Sequence, residues 1–328
     1  MWEEGEKKRF SEQKHFLSKM MKSMLKRRRQ MKSLTEIRNF EMEVDNFAAS
    51  FVGSRGDPPE RGTFHVVNLA KRTVTLNAFF FEFRTQKSSF SRQFERRTDG
   101  PGKKMGDVRI VVVSDTHGLH GMLEIPDGDV FVHCGDIFFL SCLYNEDTMR
   151  KRLIAFDNWL STLPHKEKIV IGGNHDDILE SLPRKDIKGI LKNCTYLCND
   201  SIELKSGLRI FGSPISSSNG PLSINHAFQA SKERKLPSVF DADRAKTADI
   251  VLLHGPPYSV PAVRKFVRDS KPRLVIHGHV HEKHGMTTSN DTTVVVNATT
   301  MGSKYSPTNP AVVIDVPLFS TKRRRACL

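Results

Sequence analysis

Cysteine is scarce in this chain of 328 residues, and the five thiols, Cys134, Cys142, Cys194, Cys198 and Cys327, are spaced too irregularly for a disulfide framework. No apolar signal-peptide core follows the start, so the expected home is a reducing compartment, the cytoplasm, or the nucleus through its basic runs. Cys194 and Cys198 have the spacing of half a zinc site, but no second pair stands near them, and they read as buried thiols. Also missing is any stretch approaching the roughly 20 apolar residues of a membrane span. Cys327 is penultimate and does not fit the prenylation pattern.

Acid is short at both ends. Residues 1–106 hold 23 Lys and Arg against 13 Asp and Glu, and residues 318–328 hold four basic residues and no acid, whereas 107–317 has 24 of each. The formal charge of +14 therefore belongs to the ends, and the middle gives no charge-based reason to expect nucleic acid or membrane on its surface. Phe16, Leu17, Met20, Met21, Met24 and Leu25 would make one apolar stripe on a helix ending in Lys26-Arg27-Arg28-Arg29. Such basic ends suit an acidic protein partner, an anionic membrane surface or an import receptor, and equally a solvated tail. Val66 to Val74 and Thr75 to Phe83 read as short strands, between linkers at 53–62 and 87–104 rich in Gly, Pro, Arg and Ser.

From residue 107 a unit recurs. Ile110-Val111-Val112-Val113 is an apolar, β-branched run of the kind buried on both faces, and it ends in Ser114-Asp115-Thr116-His117-Gly118. Residues two apart at a strand end can converge on one ion, oxygen from Asp115 and nitrogen from His117. Val130–Cys134 closes on Gly135-Asp136, and a helix follows over Arg150–Leu163 with Leu153, Phe156, Trp159 and Leu160 on one face. Lys168–Ile171 closes on Gly172-Gly173-Asn174-His175-Asp176, Ile250–Leu253 on His254-Gly255-Pro256-Pro257, and Arg273–Ile276 on His277-Gly278-His279-Val280-His281. Thr293–Val296 and Val312–Val316 have strand composition without a donor at the tip, and complete a two-sheet core. Ligands of α/β sheets collect at the C-terminal ends of strands. Any one of these residues has a plainer reading: His254 as a core histidine bonded to backbone, Asn174 as a turn former. Together, Asp115, His117, Asp136, Asn174, His254, His279 and His281 exceed what one ion needs. They suit two ions sharing a carboxylate, at the separation of about 3.5–4 Å found in two-metal phosphatases and nucleases.

In order and spacing, Asp115-x-His117, Gly135-Asp136, Gly173-Asn174-His175-Asp176, His254 and Gly278-His279-x-His281 resemble the five blocks of the calcineurin-like metallophosphoesterases. Asn158-Trp159-Leu160, Gly212-Ser213-Pro214, His254-Gly255-Pro256-Pro257, Asn297-Ala298-Thr299 and Pro307-Thr308-Asn309-Pro310 are similar to one branch, the metallophosphoesterase domain-containing proteins of fetal-brain type. The resemblance covers residues 107–317 and none of the N-terminal third. It implies a four-layer α/β/β/α sandwich with two mixed sheets. The expected division is a basic, largely irregular and partly disordered extension over 1–104, the metallophosphoesterase domain over 105–317, and a basic tail over 318–328.

The resemblance further implies a first metal on Asp115, His117 and His281 and a second on Asn174, His254 and His279, with Asp136 between them. His175 would contact the phosphate and help the leaving group depart, with Asp176 orienting its ring. Two divalent ions are implied, Mn²⁺ ahead of Fe, Zn²⁺ or Mg²⁺, holding a hydroxide for in-line attack on a small phosphodiester, cyclic nucleotides among the candidates. The alternatives are a non-catalytic scaffold of the same fold that binds protein, and a nuclease using the basic ends, although the core itself is not expected to bind nucleic acid. Two departures bear on substrate. The connection from Pro257 to Pro272 is shorter than the family's, and Ile215-Ser216-Ser217-Ser218-Asn219 lacks the large aromatics relatives carry there, leaving less surface for a base to stack on. With all seven donors inside it, 105–317 is expected to carry the activity by itself.

Overall fold

A strand that is apolar on both faces needs cover on both, and that requirement organises the chain in four layers. The structure, a computed structural model, describes residues 106–318 except 140, 221–222, 231–239, 241–242, 290–292, 303–304 and 306, with scattered positions between 23 and 44 and the backbone of 65–68. Fourteen strands are seen among these: β1 His65–Asn68, β2 Asp107–Val113, β3 Val130–Cys134, β4 Glu167–Ile171, β5 Thr195–Tyr196, β6 Asp200–Glu203, β7 Arg209–Ser213, β8 Ser216–Ser217, β9 Gln229–Ala230, β10 Ile250–Leu253, β11 Leu274–His277, β12 Gly285–Ser289, β13 Thr293–Asn297 and β14 Val312–Pro317. One sheet runs β1-β14-β2-β3-β4-β5 and the other β12-β13-β11-β10-β7-β6, while β8 and β9 pair separately. Both large sheets are mixed: β14 lies antiparallel to β2 and β12 to β13, whereas β2-β3-β4 and β7-β10-β11-β13 are parallel runs.

Alternation along each strand assigns its side chains to layers. Ile110, Val112, Val130, Val132, Ile169, Ile171, Val312 and Ile314 of the first sheet meet Ile210, Ile250, Leu252, Leu274, Ile276 and Val296 of the second between the sheets. Val111, Val113, Phe131 and Val170 face the other way, onto Met149, Leu153, Phe156 and Leu160 of α1, Glu146–Thr162. On the far side Phe211, Val251, Leu253, Val275 and Val295 are covered by Val263, Phe266 and Val267 of Pro261–Ser270. The layers are helix, sheet, sheet, helix, as expected. Shorter helices cover Asp177–Ser181 (α2), Arg184–Ile190 (α3) and Asp243–Lys246 (α4), which makes Pro261–Ser270 α5.

Helix α1 starts four residues before the expected Arg150. The Asn145 side chain accepts from the Thr148 N–H at 2.8 Å, and Glu146 and Asp147 sit in the first turn, where the helix dipole favours anions. The apolar stripe begins only at Met149, so periodicity alone misses that turn.

Residues ahead of 105 touch the sandwich. Strand β1 pairs parallel with β14, His65 opposite Val312 and Asn68 opposite Asp315, and this covers the start of the strand expected from Val66. Phe40 and Val44 are buried against Leu143 and Ile224, with Met24 and Met31 packed on the same cluster. The Glu41 carboxylate accepts from the Asn145 N–H (3.0 Å), Asn145 Nδ2 (2.8 Å) and Thr148 Oγ1 (3.0 Å). Of the expected N-terminal stripe Met24 is described, in helix; the strand over 75–83, both linkers and the tail from 319 lie outside the described residues. Cys134 is buried, Cys142, Cys194 and Cys198 are half-buried, and all four are free thiols. Among the described residues no helix is long and apolar enough to cross a membrane.

Candidate metal centre

The donors stand where the central strands of both sheets end. Asp115 follows β2, Asp136 follows β3, Asn174 and His175 follow β4, His254 follows β10, and His279 and His281 follow β11. Four of them leave the strand with positive φ: Asp115 at 55°, His117 at 45°, Asp136 at 54° and His279 at 70°. Left-handed backbone costs a residue with a Cβ about 1–3 kcal/mol, so surrounding bonds must hold it. The Asp115 N–H donates to Gly135 O (2.9 Å), His117 N–H to Asp136 O (3.1 Å) and Gly118 N–H to Ile137 O (2.7 Å), which laces the loop after β2 to the loop after β3. The Gly278 N–H donates to His254 O at 3.0 Å and does the same for β10 and β11. The two loops after β2 and β11 meet where the His279 N–H donates to both Asp115 oxygens, at 3.0 and 2.9 Å.

All seven expected donors converge. Asp115, His117 and His281 form one cluster, Asp136, His254 and His279 another, and His117, Asp136 and His175 a third between them; within each, one donor atom per residue lies within 4.8 Å of the others. Asp136 is common to two of the three. Asn174 Oδ1 is 2.9 Å from His254 Nε2, and Asp136 Oδ1 is 3.3 Å from the same nitrogen. On the other side His281 Nε2 is 3.4 Å from Asp115 Oδ1 and 3.3 Å from His117 Nε2.

The donor set fits divalent ions. Nδ1 of His117 is tied to Phe138 O at 3.1 Å and Nδ1 of His254 to Cys134 O at 2.9 Å, so each ring keeps a proton on Nδ1 and turns Nε2 toward the cluster. Two imidazole nitrogens 3.3 Å apart beside a carboxylate form an arrangement that a cation stabilises. Mixed oxygen and nitrogen donors suit several first-row divalent ions without choosing among them. Close approach also explains two glycines: a Cβ at Gly173 would strike Asp136 Oδ1, and one at Gly278 would strike Ser114 Oγ and Asp115 Oδ2.

Burial and neighbouring charge set the protonation. Burial alone would raise both aspartates, but hydrogen bonding from His281 and the nearby imidazoles hold Asp115 below the usual carboxylate range, and His254 and His175 do so for Asp136. Burial drives His117 and His279 down to about 4, so both are neutral at pH 7. For His254 burial pulls down, yet the Asp136 charge and hydrogen bond outweigh it and lift the imidazole to about 9.

Asp176 requires a correction. Its carboxylate accepts from the Gly173 N–H (2.8 Å), the Ile137 N–H (3.0 Å) and the Phe138 N–H (3.1 Å), so it ties the β3 and β4 loops together and does not orient the His175 ring. Burial and Asp136 push it up to about 8, against those three backbone donors. His175 itself is buried beside the cluster: its N–H donates to Asp136 Oδ1 at 2.8 Å, and its Nε2 is 3.9 Å from Asp136 Oδ2. The group in hydrogen-bond reach of that Nε2 is the Asn225 amide nitrogen, at 3.1 Å.

Sequence reasoning missed Asn225, Phe139 and Tyr305. Tyr305 stands 5.3 Å from His117, 4.8 Å from His281 and 5.4 Å from Phe139, ring centre to ring centre, so aromatic surface absent from 215–219 is supplied from elsewhere. A signal existed for Phe139, which lies three residues past Asp136, and for Tyr305, two before the Pro307 block; none existed for Asn225, in an aperiodic stretch. Ser216 and Ser217 form β8, and the short connection after Pro257 is occupied by α5.

A family model described as calcineurin-like phosphoesterase matches residues 108–283. Metallophosphoesterase domain-containing protein 1 of Homo sapiens is 30% identical over 255 residues, covering 67% of this chain and 74% of that protein. A UPF0046 protein of Caenorhabditis elegans is 32% identical over 251 residues, covering 66% of this chain and 84% of its own. The crystal structure of TT1561 of Thermus thermophilus overlaps 60% of this chain and 91% of that one at 14% identity, with a TM-score of 0.40.

Proposed function

The chain belongs to the calcineurin-like phosphoesterase family, and from that premise we propose that it is a dinuclear-metal-dependent phosphodiesterase acting on small diesters, cyclic nucleotides among them. One observation carries the reading: the buried Asp136 clusters with His254 and His279 on one side and with His117, a member of the Asp115 and His281 cluster, on the other. Asp115, His117 and His281 would hold one divalent ion and Asn174, His254 and His279 the other, with Asp136 common to both. When bound, such ions lower the pKa of coordinated water and neutralise charge that builds on phosphoryl oxygens, with Mn²⁺ the first candidate.

The remaining work falls to the chain. The loop lacing fixes Asp115 and Asp136 before any ligand arrives, so little ordering is left for the loaded site. Burial pushes His175, backbone-bonded to Asp136, down to about 3, so its ring is neutral and has one proton to offer the leaving oxygen. Phe139 and Tyr305 give the substrate an apolar wall beside His117. Retention of all seven donors speaks against the scaffold reading, and nothing in the core's balanced charge favours the nuclease.

A panel of bis-p-nitrophenyl phosphate, p-nitrophenyl phosphate and 2′,3′- and 3′,5′-cyclic nucleotides, each with and without Mn²⁺, tests this. Metal-dependent turnover of the diesters ahead of the monoester is expected. Absence of metal-dependent turnover on every ester would leave the scaffold, and a preference for the monoester would move the protein to another class of phosphatase.

A further inference from the structure

His175 satisfies the same distance condition as the expected metal donors. It forms a cluster with His117 and Asp136, and its ring centre is 4.7 Å from that of His117. Proximity alone would let it join them. What sets it apart is the partner of its Nε2. The Asn174 carbonyl oxygen faces His254 Nε2, whereas the Asn225 amide nitrogen, at 3.1 Å, faces His175 Nε2. An amide NH₂ has two donors and no lone pair, so His175 Nε2 must accept, its lone pair is taken, and the ring proton sits on Nδ1.

We infer that Asn225 is a positioning residue whose amide occupies His175 Nε2 and keeps that imidazole out of the metal donor set, leaving its Nδ1–H, buried and without a hydrogen-bond partner among the described residues, for the substrate. This rests on the phosphoesterase reading above. Asn225 is itself held. Its backbone N–H donates to Ser223 Oγ (3.1 Å) and its backbone carbonyl accepts from Gln229 Nε2 (2.9 Å), which fix the main chain, while the Cys142 thiol, 3.9 Å from the side-chain Oδ1, marks the oxygen end of the amide and leaves the nitrogen toward His175. Ile224, one residue earlier, is buried in the cluster of Phe40, Val44 and Leu143. The amide is therefore fixed in a packed segment, and it is only 7% exposed. Two asparagines thus present opposite ends of the same side chain to two imidazoles. The oxygen end is an acceptor, so a cation can take the place of the Nε2 proton between it and His254; the nitrogen end is a donor and engages the Nε2 lone pair of His175.

The test reads the ring directly. In metal-free full-length protein, ¹⁵N spectra of histidine-labelled samples should show His175 with its proton on Nδ1. Asn225→Ala should give a tautomer mixture, and Asn225→Asp, which can only accept, should move the proton to Nε2. With Co²⁺ bound, Asn225→Ala should change the visible spectrum because His175 now coordinates. The Asn225→Ala/His175→Ala double variant should restore the spectrum of His175→Ala, which should itself match the wild type. Turnover should drop about tenfold or more for Asn225→Ala on a cyclic nucleotide and less on a nitrophenyl diester, as a fraction of the roughly 10²–10⁴-fold a positioned acid contributes. An unchanged tautomer and an unchanged Co²⁺ spectrum in Asn225→Ala would overturn the inference; if that variant fails to fold, the near-isosteric Asn225→Asp decides by its tautomer alone. Wild-type protein inactive on every ester would instead overturn the phosphoesterase reading, while the tautomer result would stand by itself.

Discussion

A histidine that keeps its proton cannot ligate a cation through that nitrogen, and His254 is such a histidine. Lifted to about 9 by Asp136 against the pull of burial, it is an imidazolium in the metal-free protein at pH 7. Metal uptake at pH 7 should therefore expel about one proton per chain from His254, and affinity should climb with pH until about 9, whereas His117 and His279, at about 4, release nothing above pH 6. Titration calorimetry in buffers of different ionisation enthalpy measures that proton, and His254→Gln should abolish it. Asp136→Asn should weaken both ions of a two-ion complement, since its carboxylate clusters with His254 and His279 of one proposed ion and with His117 of the other; metal analysis showing one ion in the wild type, or both retained in the variant, would break the shared arrangement. Gly278→Ala should lower metal content and cost about 1–3 kcal/mol in stability, because the new Cβ displaces Ser114 and Asp115. At this scale the seven donors were readable because each closes an apolar run, and strand ends of two facing sheets have one place to meet. Asp176 was misread because a chain neighbour on a turn points to a different partner. Asn225 was invisible because it sits in an aperiodic loop and its role comes from contacts with Cys142 and His175, 83 and 50 residues away in the chain.

Strands β2, β3, β4, β10, β11, β13 and β14 were legible almost to their ends because double-sided burial writes continuous Val, Ile and Leu. Strands β6 and β12 and helices α2 and α3 were not: they are short or carry little apolar patterning, and position rather than composition defines them. Element packing also creates a liability in acid. His120 in the 3-10 turn at 120–122 lies 4.8 Å from Trp159 and 5.1 Å from Phe156 of α1, with Nδ1 buried and without a hydrogen-bond partner among the described residues. Burial lowers His120 to about 4 and His133, under the same helix, to about 3. In the unfolded chain a histidine titrates near 6.5, so as pH falls below that value the unfolded state binds protons the folded state refuses. The stability contributed by neutral His120 is complete above pH 6.5 and is lost as pH drops toward 4. His120→Leu should remove about 1–2 kcal/mol of the loss otherwise seen between pH 8 and pH 5, read from urea midpoints.

For the whole molecule, the expectation that 105–317 suffices has to meet the contacts made by residues ahead of it. All donors lie inside that stretch, so a fragment of 105–317 should still load metal. It lacks Phe40, Glu41 and Val44, which back Leu143, Asn145 and Ile224, so Asn225 loses its support. Turnover of a cyclic nucleotide should fall in the fragment while metal content holds, and full activity would show that the N-terminal contacts are dispensable. Strand β1 has a second consequence. It caps the flank of β14, whose residues Val312 to Val316 are buried throughout. Without it, β14 becomes a terminal ribbon with a row of unmet amide and carbonyl groups, the template on which chains zip together. The shortened protein should aggregate as its concentration rises, visible in sedimentation velocity, where the full chain stays monodisperse. A segment of four residues would then act as a guard against polymerisation, quite apart from any chemistry at the tips of β2, β3 and β4.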